Sequence, residues 1–181
     1  LVSDRTWKCS PGTALRDYFA GDEPAYTSPE DNVEVFPFEY TGIKPVKVGK
    51  NALGTTYDFG RELFAKLEFT CDSALKVLYG ETYEEATDPG NALLYETVEA
   101  GKHSPVPRAF RFVTLTGDAS DVKAQLELLH EEYKAEFACD RPEVREIFDI
   151  CRYTFHLNSR EFLLDGIKRD RWCWSGDAYQ S

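Results

Sequence analysis

The sequence lacks several of the patterns by which a function is most easily recognised. It has no run near the ~18 apolar residues that a membrane-spanning helix requires, which excludes such a span. Its 5 cysteines are scattered and include no Cys-x-x-Cys pair, so neither a zinc site nor a disulfide framework is indicated. No glycine-rich phosphate loop and no internal repeat occurs, which removes the usual signals for a nucleotide site or a solenoid.

Basic residues are scarce relative to acidic ones. The sequence has 21 Lys and Arg and 32 Asp and Glu, which gives a net charge of −11. Proteins that bind nucleic acid present a basic face, so this balance disfavours such a partner. Aromatic residues are abundant at 14%, which argues against disorder and suits both β-strands and stacking on a sugar. We therefore expect a neutral or weakly charged substrate, with no cofactor and no metal.

The first two thirds of the sequence predict an antiparallel β-sandwich. Residues 1–32 are irregular and broken by Pro and Gly, and are interpreted as a connector from a preceding domain. Over residues 33–139, short segments with alternating apolar residues are separated by Gly, Pro and Asp turns. Pro37 places the first segment, VEVFPFEY, at a sheet edge. Asp72-Ser73 predicts a hairpin between ELFAKLEF and ALKVLYG, and ALLYETV and AFRFVTLT are further strands.

Residues 121–138 carry two conflicting signals. Their Ala, Lys, Gln, Glu and Leu content favours a helix, whereas the alternation of Val122, Ala124, Leu126 and Leu128 favours a strand. We favour a long strand that is disrupted near Leu129-His130.

A change to helical character at Asp140 predicts a second domain over residues 140–181. Asp140 is a good N-cap and Pro142 suits the first turn. An apolar stripe along residues 144–157 predicts a helix of four to five turns that is largely buried. Because nothing later in the sequence would cover this stripe, we expect contacts with further helices of the same domain. A surface for a partner protein is the alternative.

The segment LLDGIKRDRWCWSGDAYQS combines carboxylates, cations and tryptophans in a predicted loop. Asp165-Gly166 marks a turn and Asp177 is placed to cap a new helix. Loops on a helical scaffold commonly carry functional groups. Trp172 and Trp174 are two residues apart and would face the same side of an extended stretch, although Trp172 also suits a core position. Structural caps and ion pairs remain an alternative, and a calcium loop is disfavoured by the ligand spacing.

LLDGIKRDRWCWSGD resembles the signature of α-L-rhamnosidases of glycoside hydrolase family 78, in the form D-G-x-K-R-D-R-x-x-W-x-G-D. YDFGRELFAKLEF resembles a strand of that family's β-sandwich, YGETYEEA the turn and strand after it, and RAFRFV the next core strand. FACDRPEVREIFDICRYTFHLN resembles the first helix of its (α/α)6 barrel. The resemblance covers most of residues 55–181. It implies a mostly β chain, with an antiparallel β-sandwich followed by the first helix and loop of an all-α (α/α)6 barrel that is truncated here.

The resemblance also implies a reaction, the inverting hydrolysis of terminal α-L-rhamnose. Inversion needs an acid that protonates the leaving oxygen and a carboxylate about 6.5–9.5 Å away that activates water. Asp170 falls at or next to the family's general acid, which is usually Glu, so the shorter side chain is a departure. The general base belongs to a later loop, past residue 181. This chain would carry only the acid side of the site and, taken alone, is predicted to be inactive.

Substrate-binding roles are implied for the residues around Asp170. Asp165 and Asp177 match aspartates that hold sugar hydroxyls, and Trp174 matches a tryptophan near the sugar's apolar face. Trp172 is assigned to the same surface. An arginine paired with the acid would lower its pKa, so Arg169 and Arg171 are expected to contact the sugar or the other aspartates.

Two other functions stay open. One is a carbohydrate-binding β-sandwich without catalysis, which should display its aromatics on an exposed surface. The other is a related six-hairpin glycosidase that acts on another deoxy or uronic sugar. The family analogy favours a periplasmic or secreted location, and the sequence itself does not fix the compartment.

Overall fold

The computed structural model describes residues 38–103, 106–130, 136–160, 163–168 and 171–180, and the predicted connector over residues 1–32 lies outside them. These residues form eight strands and three helices. The strands are β1 (Phe38–Ile43), β2 (Lys47–Lys50), β3 (Thr55–Cys71), β4 (Leu75–Gly80), β5 (Leu94–Val98), β6 (Gly101–His103), β7 (Arg108–Leu115) and β8 (Ala119–Leu129). The helices are α1 (Tyr83–Thr87), α2 (Pro142–Asn158) and α3 (Ser175–Gln180).

The strands pair in the order β1-β8-β3-β7-β4-β5, and β2 and β6 also pair with β3. Every one of these pairings is antiparallel. The predicted class, a mostly β antiparallel fold followed by a partial helical segment, is therefore confirmed. The placement of β1 at an edge agrees with the prediction from Pro37.

The long strand β3 belongs to two layers. Thr55 and Val77 both lie opposite Leu115 on β7, and Cys71 is followed at once by the short connection to Leu75. A straight strand of 17 residues would span about 55 Å, far more than these neighbours allow between its two ends. β3 therefore bends back, and its two halves pack in opposite layers around one core.

β3 also contains a β-bulge. The pairing of β3 with β7 shifts in register between Asp58 and Leu63. Gly60, inside this shift, has a φ of 85°, in the region that favours glycine. Asp58 accepts hydrogen bonds from Gly60 N at 2.7 Å and from Arg111 Nε at 2.9 Å, which fixes the bulge against β7.

Two local predictions are wrong. β3 and β4 do not form a hairpin, because β7 lies between them and pairs with both, so the connection between them crosses from one layer to the other. The segment YGETYEEA does not continue into a strand but forms α1. The side chain of Thr82 accepts a hydrogen bond from Glu85 N at 3.2 Å, so a helix cap decides the conformation.

The preferred strand over residues 121–138 is confirmed as far as Leu129, where β8 ends. The next helix is also confirmed, but its N-cap is Arg141 rather than Asp140, and no side-chain cap forms. Pro142, in the first turn, sets the start, because proline suits a position whose backbone N–H has no helical partner.

The core lies between the two layers of strands. Phe110 is fully buried and packs against Phe59 at 5.5 Å and Tyr79 at 5.4 Å between ring centroids. α2 adds Leu157, whereas Ile147 and Ile150 are 61% and 58% exposed, so the apolar stripe of α2 stays mostly uncovered. Among the residues described, no helix has both the length and the apolar character needed to cross a membrane.

Candidate functional site

The predicted loop follows α2 and is anchored in the core. Ser159 caps α2 through its backbone N–H, which donates to Phe155 O. Leu164 N then donates to Asn158 O at 3.0 Å, which returns the chain along the end of the helix. Ile167 is 7% exposed and belongs to the core of the strands. The start of the loop is thus fixed by Leu164 and Ile167, and the residues that follow extend from this anchored segment.

Asp165 closes this loop on itself. Its Oδ1 accepts a hydrogen bond from Trp172 N at 2.9 Å, and its Oδ2 accepts one from the Trp174 indole Nε1 at 3.0 Å. Asp165 N donates in return to Trp172 O at 3.0 Å. The carboxylate is exposed, so it has lone pairs left for a ligand while it fixes both tryptophans.

Trp172 and Trp174 form a stacked, exposed pair. Their ring centroids lie 5.8 Å apart with 22° between the ring planes. They are 62% and 52% exposed, so the alternative of a core position for Trp172 is wrong. As expected, the two indole rings lie on the same side of the chain. There they present an apolar surface next to the Asp165 carboxylate.

Arg171 points away from this surface. Its Nε donates to Ile167 O at 3.0 Å and its Nη2 to Pro107 O at 3.3 Å, while the guanidinium lies 4.9 Å from the Phe64 ring centroid. Arg171 thus binds backbone carbonyls and an aromatic ring rather than Asp165, and the other part of the expectation, contact with the sugar or Asp177, stays a prediction. Burial lowers the pKa of Arg171 from its ordinary value, and Arg108 adds to this effect. Arg171 also has a φ of 51°, which turns the chain back toward Asp165.

Lys168 connects the loop to α1. Its Nζ lies 2.7 Å from Glu85 Oε2 and 3.3 Å from Glu81 Oε2. The side chains of Lys168 and Glu85 are each 13% exposed, whereas Glu81 is 48% exposed. The sequence left ion pairs open as an alternative for the charged residues of this loop, but it did not identify these partners.

An open cleft of about 1140 Å³ lies beside the loop, between α2 and the β3–β4 side of the strands. Asp165, Glu62 and Glu81 contribute carboxyl groups to its lining. Burial raises the pKa of Glu62 to about 8, with repulsion from Glu81 as the next cause and attraction by Lys168 acting against it. Glu62 Oε1 is buried and has no hydrogen-bond partner within the described part of the chain. The cleft thus contains a carboxyl group that is protonated near neutral pH.

The structure brings together Asp165, Trp172 and Trp174, but not all of the predicted site. Asp170 and Arg169 lie outside the described residues, and so does the side chain of Asp177. α3 begins at Ser175, so Asp177 is its third residue and not its N-cap. No group of three or more potential metal ligands occurs in the described ranges.

Glu62 and Glu85 were not among the predicted site residues. Glu62 lies on the polar side of an alternating strand, and no local pattern distinguishes it from a solvated residue. A signal did exist for Glu85, because Thr82 and Glu85 have the Thr-x-x-Glu spacing of a capping box.

No protein-family model and no curated protein matches the sequence. The fold, however, is shared with solved structures of rhamnosidases. These are the enzymes whose signature the loop sequence resembles. A rhamnosidase from Klebsiella oxytoca with rhamnose bound is 15% identical, with a TM-score of 0.67 over 78% of this chain and 39% of that one. An α-L-rhamnosidase from Aspergillus terreus is 18% identical, with a TM-score of 0.65 over 80% and 20%. An α-L-rhamnosidase from Dictyoglumus thermophilum is 20% identical, with a TM-score of 0.62 over 80% and 19%.

These matches confirm the predicted resemblance at the level of the fold. The chain spans about two fifths of the Klebsiella oxytoca structure and about a fifth of the other two.

Proposed function

We propose that this chain is part of an inverting glycoside hydrolase that releases terminal α-L-rhamnose and that it contributes the acid side of the active site. One observation carries the proposal. The segment that resembles the rhamnosidase signature folds as a loop in which Asp165 holds a stacked tryptophan pair, and the surrounding fold is shared with solved rhamnosidases.

The loop surface has the chemistry that a 6-deoxy sugar requires. Rhamnose has hydroxyl groups on one part of the ring and a methyl group with C–H bonds on another. The Trp172–Trp174 pair provides an apolar surface for the methyl group, and the free lone pairs of Asp165 accept from hydroxyls. Trp174 and Asp165 are hydrogen-bonded to each other, so the apolar and the polar parts are held in one fixed relation.

Asp170 is the proposed general acid, with Asp177 and Arg169 as further sugar contacts. Arg171 binds backbone carbonyls and an aromatic face, so this cation does not hold Asp165 in an ion pair. An acid must be protonated at working pH, and a nearby arginine would oppose that. The general base is assigned to another part of the full-length protein, together with the helices that complete an (α/α)6 barrel over the exposed face of α2.

The test is hydrolysis of p-nitrophenyl α-L-rhamnoside by the full-length protein, with Asp170→Asn beside it. We expect activity that falls in Asp170→Asn by about 10²- to 10⁴-fold for a rhamnoside of an aliphatic alcohol and by less for the nitrophenyl substrate, since an amide cannot protonate the leaving oxygen and nitrophenolate leaves with little need of a proton. ¹H NMR of the first product should show β-L-rhamnose, as inversion requires. A folded full-length protein that releases no nitrophenol would contradict the proposal. Binding of rhamnosides without turnover would then favour a carbohydrate-binding module, and turnover of another deoxy or uronic glycoside a related hydrolase.

A further inference from the structure

The loop is attached to the strands on both sides of residues 169 and 170. We propose that Lys168 is a positioning residue for this loop and that it acts through its ion pair with Glu85. The inference rests on the proposed function for the reaction concerned, whereas the attachment itself rests on the geometry of Lys168 and Arg171. Lys168 reaches no reacting atom in this proposal, because its Nζ is occupied by Glu85 and Glu81.

The Lys168–Glu85 pair is withdrawn from water. The two side chains are each 13% exposed, and their charged atoms are 2.7 Å apart. Exposed ion pairs have loose geometry and contribute little, but a buried carboxylate that loses its partner is strongly destabilised. Glu81 also lies 3.3 Å from Lys168 in the same cleft, so the loss of this cation would leave the carboxylates of both Glu85 and Glu81 without their counter-charge.

Glu85 itself is rigidly held. Its backbone N donates to Thr82 Oγ1 at 3.2 Å, and its Oε2 accepts from Glu81 N at 3.0 Å. Ala86, the next residue, is fully buried, and a Cβ at Gly80 would lie only 2.6 Å from Ala86 N. α1 therefore packs tightly on the end of β4, and Glu85 gives Lys168 a fixed point on the strands.

A second attachment lies on the other side of residues 169 and 170. Arg171 binds Pro107 O, just before β7, and lies over the Phe64 ring of β3. The loop thus has two independent attachments, one at Lys168 and one at Arg171. A displacement of about 1 Å at a reacting group can cost about a hundredfold in rate, so Lys168 is expected to affect catalysis without touching substrate.

The first readout needs no substrate. Hydrogen exchange of the full-length protein is followed by mass spectrometry in Lys168→Met and Glu85→Gln, with Lys76→Met and Glu84→Gln as matched controls. Lys76 is exposed on β4 and Glu84 is exposed on α1. Peptides that cover residues 163–174 should exchange at least about tenfold faster in the two test variants, because local opening becomes easier. Peptides from β3 and β7 should be unchanged, and so should all peptides of the controls.

The second readout is steady-state hydrolysis of p-nitrophenyl α-L-rhamnoside. Lys168→Met and Glu85→Gln should lower kcat by about 10- to 100-fold with KM changed less than about threefold, since the loss concerns alignment in the transition state. Lys168→Arg should keep most of kcat, because the cation remains. The exchanged pair Lys168→Glu with Glu85→Lys should recover part of what either single change loses.

Wild-type exchange over residues 163–174 in folded Lys168→Met and Glu85→Gln would overturn the proposal. Faster exchange with unchanged kcat would also overturn it, because the loop would then be attached but not positioned for the reaction. If Lys168→Met fails to fold, Glu85→Gln decides by the same two criteria. If the wild-type protein hydrolyses no rhamnoside, the proposed function fails, and hydrogen exchange still decides whether Lys168 holds the loop.

Discussion

The Asp165 carboxylate accepts a hydrogen bond from the Trp174 indole Nε1 at 3.0 Å, across nine positions of sequence. This single contact joins the first carboxylate of the loop to its exposed aromatic surface. Because Asp165 also accepts from Trp172 N, its removal would free both tryptophans at once. The relationship gives Asp165 a structural role in the loop, and its role in sugar binding stays a prediction.

Asp165→Asn should therefore loosen the loop while keeping the shape of the side chain. The amide NH2 must face one of two donors, so one hydrogen bond becomes a repulsion, and a charged acceptor typically contributes about 1.5–3 kcal/mol. We expect a stability loss near the low end of that range, because the site is exposed, and a clear change in the near-UV circular dichroism of the tryptophan pair. Asp72→Asn, at an exposed position between β3 and β4, is the control. Equal spectra for the two variants would contradict the assigned contacts.

Trp174→Ala should weaken sugar binding more than it weakens the fold. Trp174 is 52% exposed, so little core packing is lost. If it packs on the apolar face of the sugar, KM for the rhamnoside in the full-length protein should rise about tenfold, which corresponds to about 1.4 kcal/mol. Tyr179→Ala is a suitable control, because Tyr179 is an aromatic residue that is 88% exposed on α3. Equal KM values for Trp174→Ala and wild type would show that Trp174 is not part of the sugar-binding surface.

Glu62 should make stability depend on pH. Its pKa is about 8 in the folded chain against an ordinary value of 4.5, so over this interval the unfolded chain loses a proton that the folded chain keeps. Stability must then fall as pH rises from about 4.5 to about 8, by a few kcal/mol in total. In Glu62→Gln the fall should be absent, and the variant should exceed the wild type most at pH 8 to 9.

Urea denaturation at several pH values measures this difference. The groups that act on Glu62 are Glu81, Lys168, Glu85 and Arg111, and all of them stay in the variant. Glu84→Gln, exposed on α1, should follow the wild-type curve. Parallel curves for Glu62→Gln and the wild type would show that Glu62 ionises normally.

Removal of the buried Arg160 charge should strongly lower the free energy of unfolding. It forms a buried ion pair with Glu127, and its guanidinium lies 4.3 Å from the Phe38 ring centroid and 4.5 Å from that of Phe64. Arg160→Met leaves the Glu127 carboxylate buried without its partner, at a cost of about 3–5 kcal/mol. Arg160→Met with Glu127→Leu should recover most of this loss, since no charge is left unpaired. Urea denaturation compares them, and a double variant no more stable than the single one would contradict the pairing.

The parts of the fold that sequence could predict are those set by local pattern. The alternation of Val122, Ala124, Leu126 and Leu128 outweighed helix-forming composition, and β8 is a strand, because burial of one face exceeds intrinsic propensity in a sheet. The order of strands was less accessible. That β7 lies between β3 and β4 depends on pairing between segments far apart in sequence, which no local pattern encodes.

The candidate site shows the same division. The positions of Asp165, Trp172 and Trp174 could be predicted, because they lie close together in one loop. The Lys168–Glu85 ion pair could not be predicted, since it joins residues 83 positions apart. Neither could the raised pKa of Glu62, which comes from burial by elements distant in sequence.

The exposed face of α2 gives the last prediction. Ile150 lines the cleft and is 58% exposed, a high value for an isoleucine in a regular helix next to the candidate site. If further helices of the same protein cover this face, Ile150→Asp would bury an unpaired charge in the full-length protein and cost about 3 kcal/mol or more. Residues 1–181 expressed alone should tolerate the change, because there the side chain meets water.

Val106→Asp is the matched control, because Val106 is 59% exposed in the connection before β7. It should have little effect in either the full-length protein or residues 1–181, unlike Ile150→Asp. Urea denaturation of all four proteins separates the cases. A full-length protein that tolerates both changes equally would mean that α2 faces solvent, and the cleft beside Asp165 would then be open on that side. A loss confined to full-length Ile150→Asp would mean that the cleft is closed by the protein's own helices, which is the enclosure that an inverting hydrolase needs around its acid and its water.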